Sequence, residues 1–173
     1  MPGAGSATPK LLLIGEAPGA KEDEQRVPFV GHAGSILDKL LDHVGLNRSD
    51  DTFITNVVKC HPPENRDPEP PELLACHPYL VEQLAILRPS VIVTMGAFAA
   101  QEILSTSLPI SDLRQHVWKL VDSLVVPTFH PMYATYGHWD VLFGDFELVA
   151  AVLAGEADPD GEAAGWARPH LTE

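Results

Sequence analysis

Apolar residues along this chain fall alternately into short continuous runs and into helical spacing. Leu11, Leu12, Leu13 and Ile14 run together ahead of Gly15, and Val91, Ile92 and Val93 form a second run. Unbroken runs of this length are expected of strands buried on both faces of a parallel sheet. Residues 10–14, 52–59 and 91–95 are read as strands, and 117–126 as one or two more. Helical spacing marks 33–44, where Ile36, Leu37, Leu40, Leu41 and Val44 share a face ahead of Gly45. It recurs over 72–87 through Leu73, Leu80, Leu84 and Leu87, closed by Pro89, and again over 96–104 and 141–153. Residues 20–31 and the Pro-, Asn- and Asp-rich stretch 61–71 read as loops. No internal repeat is present. Strands alternating with helices predict parallel pairing with helices on both faces. The expected fold is α/β: a three-layer αβα sandwich around a central, mainly parallel four-stranded sheet. One domain over 1–154 is expected, followed by an acidic, disordered tail over 155–173 that mixes Ala, Gly, Pro, Asp and Glu with one Trp.

Three polar motifs each follow an apolar run. Ile14 leads into Gly15-Glu16-Ala17-Pro18-Gly19, Phe53-Ile54-Thr55 delivers Asn56, and Val125-Val126-Pro127-Thr128-Phe129 delivers His130-Pro131-Met132-Tyr133. In open α/β sheets ligands bind outside the carboxyl ends of the strands. A carboxylate, an amide and an imidazole are therefore expected to converge on one crevice. The first motif is not a phosphate-binding P-loop, because the Gly-Lys-Ser/Thr ending is absent.

Composition narrows the class. The 173 residues are 45% hydrophobic, enough for a real core, and no run approaches the length of a membrane span. The N-terminus lacks a charged region followed by an apolar stretch, so no secretory signal is read and a cytoplasmic protein is expected. Two cysteines, Cys60 and Cys76, are too few for a disulfide scaffold. The formal charge of −13, from 24 acidic and 11 basic residues, speaks against a nucleic-acid partner on bulk electrostatics alone. A local groove can still bind DNA on an acidic protein. Few lysines and an acidic surface predict adaptation to a salty cytoplasm, that is, a halophile.

The motifs in order and spacing resemble the uracil-DNA glycosylase superfamily, and within it the bacterial and archaeal branch, family 4-like, that carries an iron–sulfur cluster. The carriers are GEAPG at 15–19 with Glu22-Asp23 behind it, PFVGHAG at 28–34, ITNVVKC at 54–60 and the NRDP loop at 65–68. Cys76, VIVTMG at 91–96, Leu113-Arg114 and HPMY at 130–133 complete the set. The resemblance runs from about Leu11 to His130. It implies a DNA-repair enzyme that hydrolyses the N-glycosidic bond of deaminated uracil, releasing the base and leaving an abasic site.

The resemblance also implies roles. A glycosylase holds a flipped base in a snug pocket and reads its Watson–Crick edge. Asn56 offers an amide donor and acceptor for that edge, and uracil and cytosine present inverted patterns to it. His130 would donate a hydrogen bond to the oxygen where charge develops. Phe29 would stack on the base, Glu16 would position the water or act as general base, and Gly15 would permit close backbone approach. Each has a plainer reading beside it: a turn-capping Asn, a structural His, a core Phe, a loop carboxylate.

The family's cluster uses four cysteine thiolates, two from an N-terminal Cys-x-x-Cys that is missing here, while Cys60 and Cys76 match the other two. The expectation is either a start further upstream or inherited cluster positions lacking half their ligands. A Cys/His zinc site with His61 and His77 is a poorer choice, since adjacent strand residues face opposite ways. Relatives commonly carry a basic residue in the loop after HPMY, where this chain has Ala134-Thr135-Tyr136-Gly137-His138-Trp139. Tyr136, His138 or Trp139 would then serve as the wedge, with Tyr133 nearby and Arg114 as a phosphate contact. The expected partner is uracil-containing DNA, bound by a monomer with no membrane association. A damaged-DNA-binding member without catalysis, and an unrelated α/β enzyme sharing only the fold, are the alternatives.

Overall fold

A computed structural model describes residues 1–163. Ala4–Gly5 forms strand β1 and Leu11–Gly15 strand β2. Helices α1 (Ala20–Gln25), α2 (His32–His43) and α3 (Arg48–Asp51) lead to strand β3 (Thr52–Asn56). A 3₁₀ turn at Pro63–Asn65 precedes helix α4 (Pro70–Leu87), strand β4 (Val91–Met95) and helices α5 (Ala97–Leu104) and α6 (Ile110–Leu113). Strands β5 (Trp118–Leu120) and β6 (Ser123–Thr128), a 3₁₀ turn at Pro131–Tyr136, helix α7 (Trp139–Leu153) and strand β7 (Gly161–Glu162) follow. No described helix is long and apolar enough to cross a membrane.

The mixed α/β class matches expectation, but the sheet is wider. It has seven strands in the order β1-β3-β2-β4-β6-β5-β7 rather than four. The four expected strands are its parallel centre, β3-β2-β4-β6. β1 adds antiparallel to β3, β5 antiparallel to β6, and β7 parallel to β5. The added outer strands β1 and β7 are two residues long, too short for any periodic signal. Pro127, unusual inside a strand, lies beyond the last β5 pairing of Trp118 with Val125, where a missing N–H breaks no ladder on that side.

The unbroken apolar runs of β2 and β4 follow from burial on both faces. Leu11 and Leu13 enter one core cluster with Ile36, Leu37, Leu40 and Leu41 of α2 and Leu142, Phe146 and Val149 of α7. Leu12 and Ile14 enter the other, with Leu80 of α4 and Ala99, Ala100 and Ile103 of α5.

Three expectations shift. Residues 20–25, read as loop, form α1; none of its residues is buried, so no apolar stripe announced it, and Glu22 and Asp23 in its first turn favour a helix start. The second strand stops at Asn56 rather than 59. Part of the expected tail is ordered: Val117 N–H donates to the Asp160 carboxylate at 2.7 Å and Ala163 N–H to the Lys119 carbonyl at 2.9 Å, fixing β7. The remainder of that tail, 164–173, lies outside the described residues.

Arg114 is a tie within the fold. Its guanidinium holds Asp145 of α7 in a two-pronged pair, Nη2 to Oδ1 at 2.7 Å and Nε to Oδ2 at 3.2 Å. Asp145 is fully buried and also accepts from Thr128 Oγ1 of β6 at 2.8 Å. Nε and Nη2 of Arg114, the residue expected at a DNA phosphate, are thus engaged by a buried carboxylate. Removing one partner of a buried pair leaves the other uncompensated, a cost of about 3–5 kcal/mol. Arg114→Ala is expected to lower unfolding free energy by that order in urea titration; a loss near that of an exposed ion pair would contradict the assignment.

Candidate active site

Parallel register aligns the carboxyl ends of the strands. Gly15 pairs with Asn56 across β2 and β3, and Met95 with Thr128 across β4 and β6. The ladder continues past both ends, with Val57 N–H donating to the Gly15 carbonyl and Val58 N–H to the Glu16 carbonyl, each at 2.9 Å. Glu16, Phe29, Asn56 and His130 thereby line one recess of about 150 Å³, with Gly19, His61, Asn65 and Arg66 along its rim. A separate cavity of about 370 Å³ lies between α4 and α5 and is lined by none of Glu16, Phe29, Asn56 and His130.

Asn56 is 2% exposed, and its Oδ1 is sealed from solvent without a hydrogen-bond partner. An unsatisfied buried acceptor costs free energy that a donating ligand would recover. Gly15 is required beside it: a Cβ there would fall 2.5 Å from Asn56 Oδ1 and 3.0 Å from the Phe29 ring. The Asn56 carbonyl is anchored from below by Lys59 Nζ at 2.8 Å. That buried ammonium also donates to Thr55 Oγ1 and Gln83 Oε1, at 2.8 and 2.6 Å. Burial brings Lys59 down to about 8, against the pull of the Cys76 sulfur.

His130 Nδ1 accepts the Met132 N–H at 3.2 Å, which leaves Nε2 as the proton-bearing nitrogen of a neutral ring. Burial pushes its pKa below the usual 6.5 and favours that neutral form. Its ring stacks on Phe29 with centroids 5.9 Å apart. Gly96, at φ 97°, passes behind it; a Cβ would sit 3.5 Å from His130 Cβ. Glu16 is half-buried, and desolvation, followed by the nearby charge of Asp67, raises its pKa above 4.5.

The residues expected on the DNA side separate. Arg114 stacks over Phe129 at 5.2 Å, Phe129 on Tyr133 at 4.2 Å, and Tyr133 on His138 at 4.3 Å. Tyr133 and His138 are thus held in a column, whereas Tyr136 is 77% exposed. Trp139 packs against Phe143 with Lys39 Nζ over its ring. Cys60 is exposed and Cys76 buried, with Cys76 Sγ accepting the Lys59 N–H at 3.3 Å. Two cysteines are half the thiolates that a four-cysteine cluster needs. Among the described residues, no group of three or more His, Cys, Asp or Glu is placed to hold a metal ion. His61 is engaged with Asn65 Oδ1 at 2.7 Å.

Sequence reasoning assigned no role to Asn65, Arg66 or Lys59. The first two belong to the NRDP motif, which was a visible signal. Lys59 carried none, because a lysine ahead of a cysteine does not announce burial.

The chain matches the family model of the uracil DNA glycosylase superfamily over residues 2–149. It is 40% identical to a type-4 uracil-DNA glycosylase of Saccharolobus solfataricus over 90% of this chain and 77% of that protein. It is 43% identical to a type-4 uracil-DNA glycosylase of Sulfurisphaera tokodaii over 79% of this chain and 66% of that protein. The identity is 52% with the type-4 enzyme of Archaeoglobus fulgidus, over 60% of this chain and 51% of that protein.

The state of the imidazole can be checked without any substrate. In an NMR titration His130 is expected to protonate below pH 6.5 and to carry its neutral-state proton on Nε2. A midpoint at or above 6.5, or a proton on Nδ1, would contradict the geometry.

Proposed function

The chain belongs to the uracil DNA glycosylase superfamily, and from that premise we propose that it excises uracil from DNA, hydrolysing the N-glycosidic bond to leave an abasic site. The observation that carries the reading is the buried, unpartnered Asn56 Oδ1 on a recess shared with Glu16, Phe29 and His130. An acceptor fixed there pairs with the N3–H of uracil and meets a lone pair on N3 of cytosine. Sites built on such bonds reject the mismatched base strongly, since polar groups would be left unpaired.

The reaction follows from the same side chains. The base flips into the recess and lies against Phe29. The C1′–N1 bond breaks with its electron pair leaving on the base, and His130 Nε2–H donates to the uracil carbonyl oxygen where that charge gathers. Glu16, ionised, orients the attacking water, takes its proton as the water oxygen bonds to C1′, and offsets the positive character of the sugar. Tyr136 is the exposed aromatic left to meet the duplex, with the Tyr133–His138 column beneath it. The two core clusters support a three-layer αβα arrangement, and the reading takes the protein as a cytoplasmic monomer acting on DNA. The resemblance to the cluster-bearing branch brings a four-thiolate iron–sulfur group into view, but Cys60 and Cys76 alone do not complete its ligand set, and no step is assigned to it.

Incubation with uracil-containing single- and double-stranded DNA, followed by alkali, is expected to cleave the strand at uracil. Intact strands across low to molar salt would overturn the enzyme reading, and retained but uncleaved DNA would favour the binding-only alternative. His130→Ala is expected to slow release by about 10²–10³-fold, and Asn56→Ala to lose uracil preference, both with melting temperatures near wild type; near-normal rates in both would remove the site. The raised Glu16 pKa sets the acid limb: the rate falls as pH drops through a value above 4.5, because the protonated carboxyl no longer accepts a proton. Glu16→Gln should abolish that limb, and a limb that persists would contradict the assignment.

A further inference from the structure

We infer that Arg48 is a positioning residue that acts through Phe29, an inference that rests on the glycosylase reading above. Phe29 lies at φ 52°, a left-handed conformation that a bulky side chain holds only when its surroundings impose it. Opposite charges impose it from two sides. Arg48 Nη2 donates to the Pro28 carbonyl at 2.5 Å and to the Phe29 carbonyl at 2.9 Å. Its Nη1 is braced by Asp38 Oδ1 at 2.9 Å. On the other side Glu22 Oε1 accepts the N–H groups of Val30 and Gly31, at 3.2 and 3.1 Å. The segment from Pro28 to Gly31 is therefore gripped by a cation on its carbonyls and an anion on its amides. Gly34 closes the remaining space, since a Cβ there would fall 1.8 Å from the Phe29 carbonyl oxygen.

The guanidinium suits this task because a planar fork can bridge neighbouring carbonyls while keeping a third contact, which the point charge of a lysine does not reproduce. Arg48 stands outside every motif of the site. It opens α3, whose start is fixed by Asn47 Oδ1 accepting the Ser49 and Asp50 N–H groups. Since α3 runs directly into β3, one short helix ties the stacking ring to the strand that carries Asn56. The two groups that would touch the base are thus held in one frame.

The test measures single-turnover uracil release from a single strand by wild type, Arg48→Lys, Phe29→Ala and the double variant. It also measures each protein's affinity for the same strand carrying an abasic site, which has no base to stack. Misplacing a contact by about 1 Å costs on the order of 100-fold in rate, so Arg48→Lys alone should fall by roughly that factor. Added to Phe29→Ala it should cost nothing further, and affinity for the abasic strand should be unchanged. Equal losses on both backgrounds, or a parallel loss of abasic-strand affinity, would make Arg48 merely structural and overturn the inference. Should Arg48→Lys fail to fold, Glu22→Ala probes the same segment from its opposite side and must show the same dependence on Phe29. Active wild type with unimpaired Arg48→Lys overturns this inference alone; wild type that releases no uracil overturns the reading beneath it as well.

Discussion

The site depends on one pairing: Gly15 opposite Asn56 at the carboxyl ends of two parallel strands. A register slip of one residue would turn every side chain of the strand to the opposite face, and here both faces are filled by separate core clusters. Burial thus fixes the register, and the register fixes where the amide stands. Because Gly15 has no Cβ, the Asn56 oxygen and the Phe29 ring both close in on its Cα, and that oxygen is sealed from water. A polar atom stripped of solvent and given no protein partner is a standing cost. That cost is what a complementary base edge would remove.

Electrostatics follow a similar division. The protein carries a formal charge of −13, and several of its cations are paired with its own carboxylates. Lys10 pairs with Asp51, Arg48 with Asp38, Arg66 with Glu72 and Arg114 with Asp145. Lys59 is buried under the Asn56 carbonyl. Among the described residues Arg66 is the cation that lines the recess, and it is paired with Glu72, so phosphate neutralisation, the usual source of DNA affinity, has little to draw on there. On the proposed reading, recognition leans on the base, through an amide, an aromatic face and an imidazole that burial keeps weakly basic.

Much of this was legible from the chain. The apolar runs located the four parallel strands, and the strand-end rule brought Glu16, Asn56 and His130 to one crevice. Phe29 was legible only through the motif, since nothing in its local sequence distinguishes a stacking ring from a core ring. The structural tie of Arg114 was not legible, because its buried partner Asp145 lies 31 positions away. The Tyr133–His138 stack was hidden for a related reason: it depends on how the 3₁₀ turn folds back, which no spacing encodes. β1 and β7 were invisible because two residues carry no period, and β7 is set by the long-range contact of Val117 with Asp160. The grip on Phe29 was hidden most fully, being made by two charged residues with no pattern between them.

On the proposed reading, the unpaired Asn56 oxygen meets the N3–H edge of uracil. The most direct measurement is a crystal structure of the protein with free uracil, the reaction product. The uracil ring is expected to lie against Phe29, with N3 about 2.7–3.2 Å from Asn56 Oδ1 and a carbonyl oxygen facing His130 Nε2. Uracil bound elsewhere, such as in the cavity between α4 and α5, with Asn56 Oδ1 still unpaired, would contradict it.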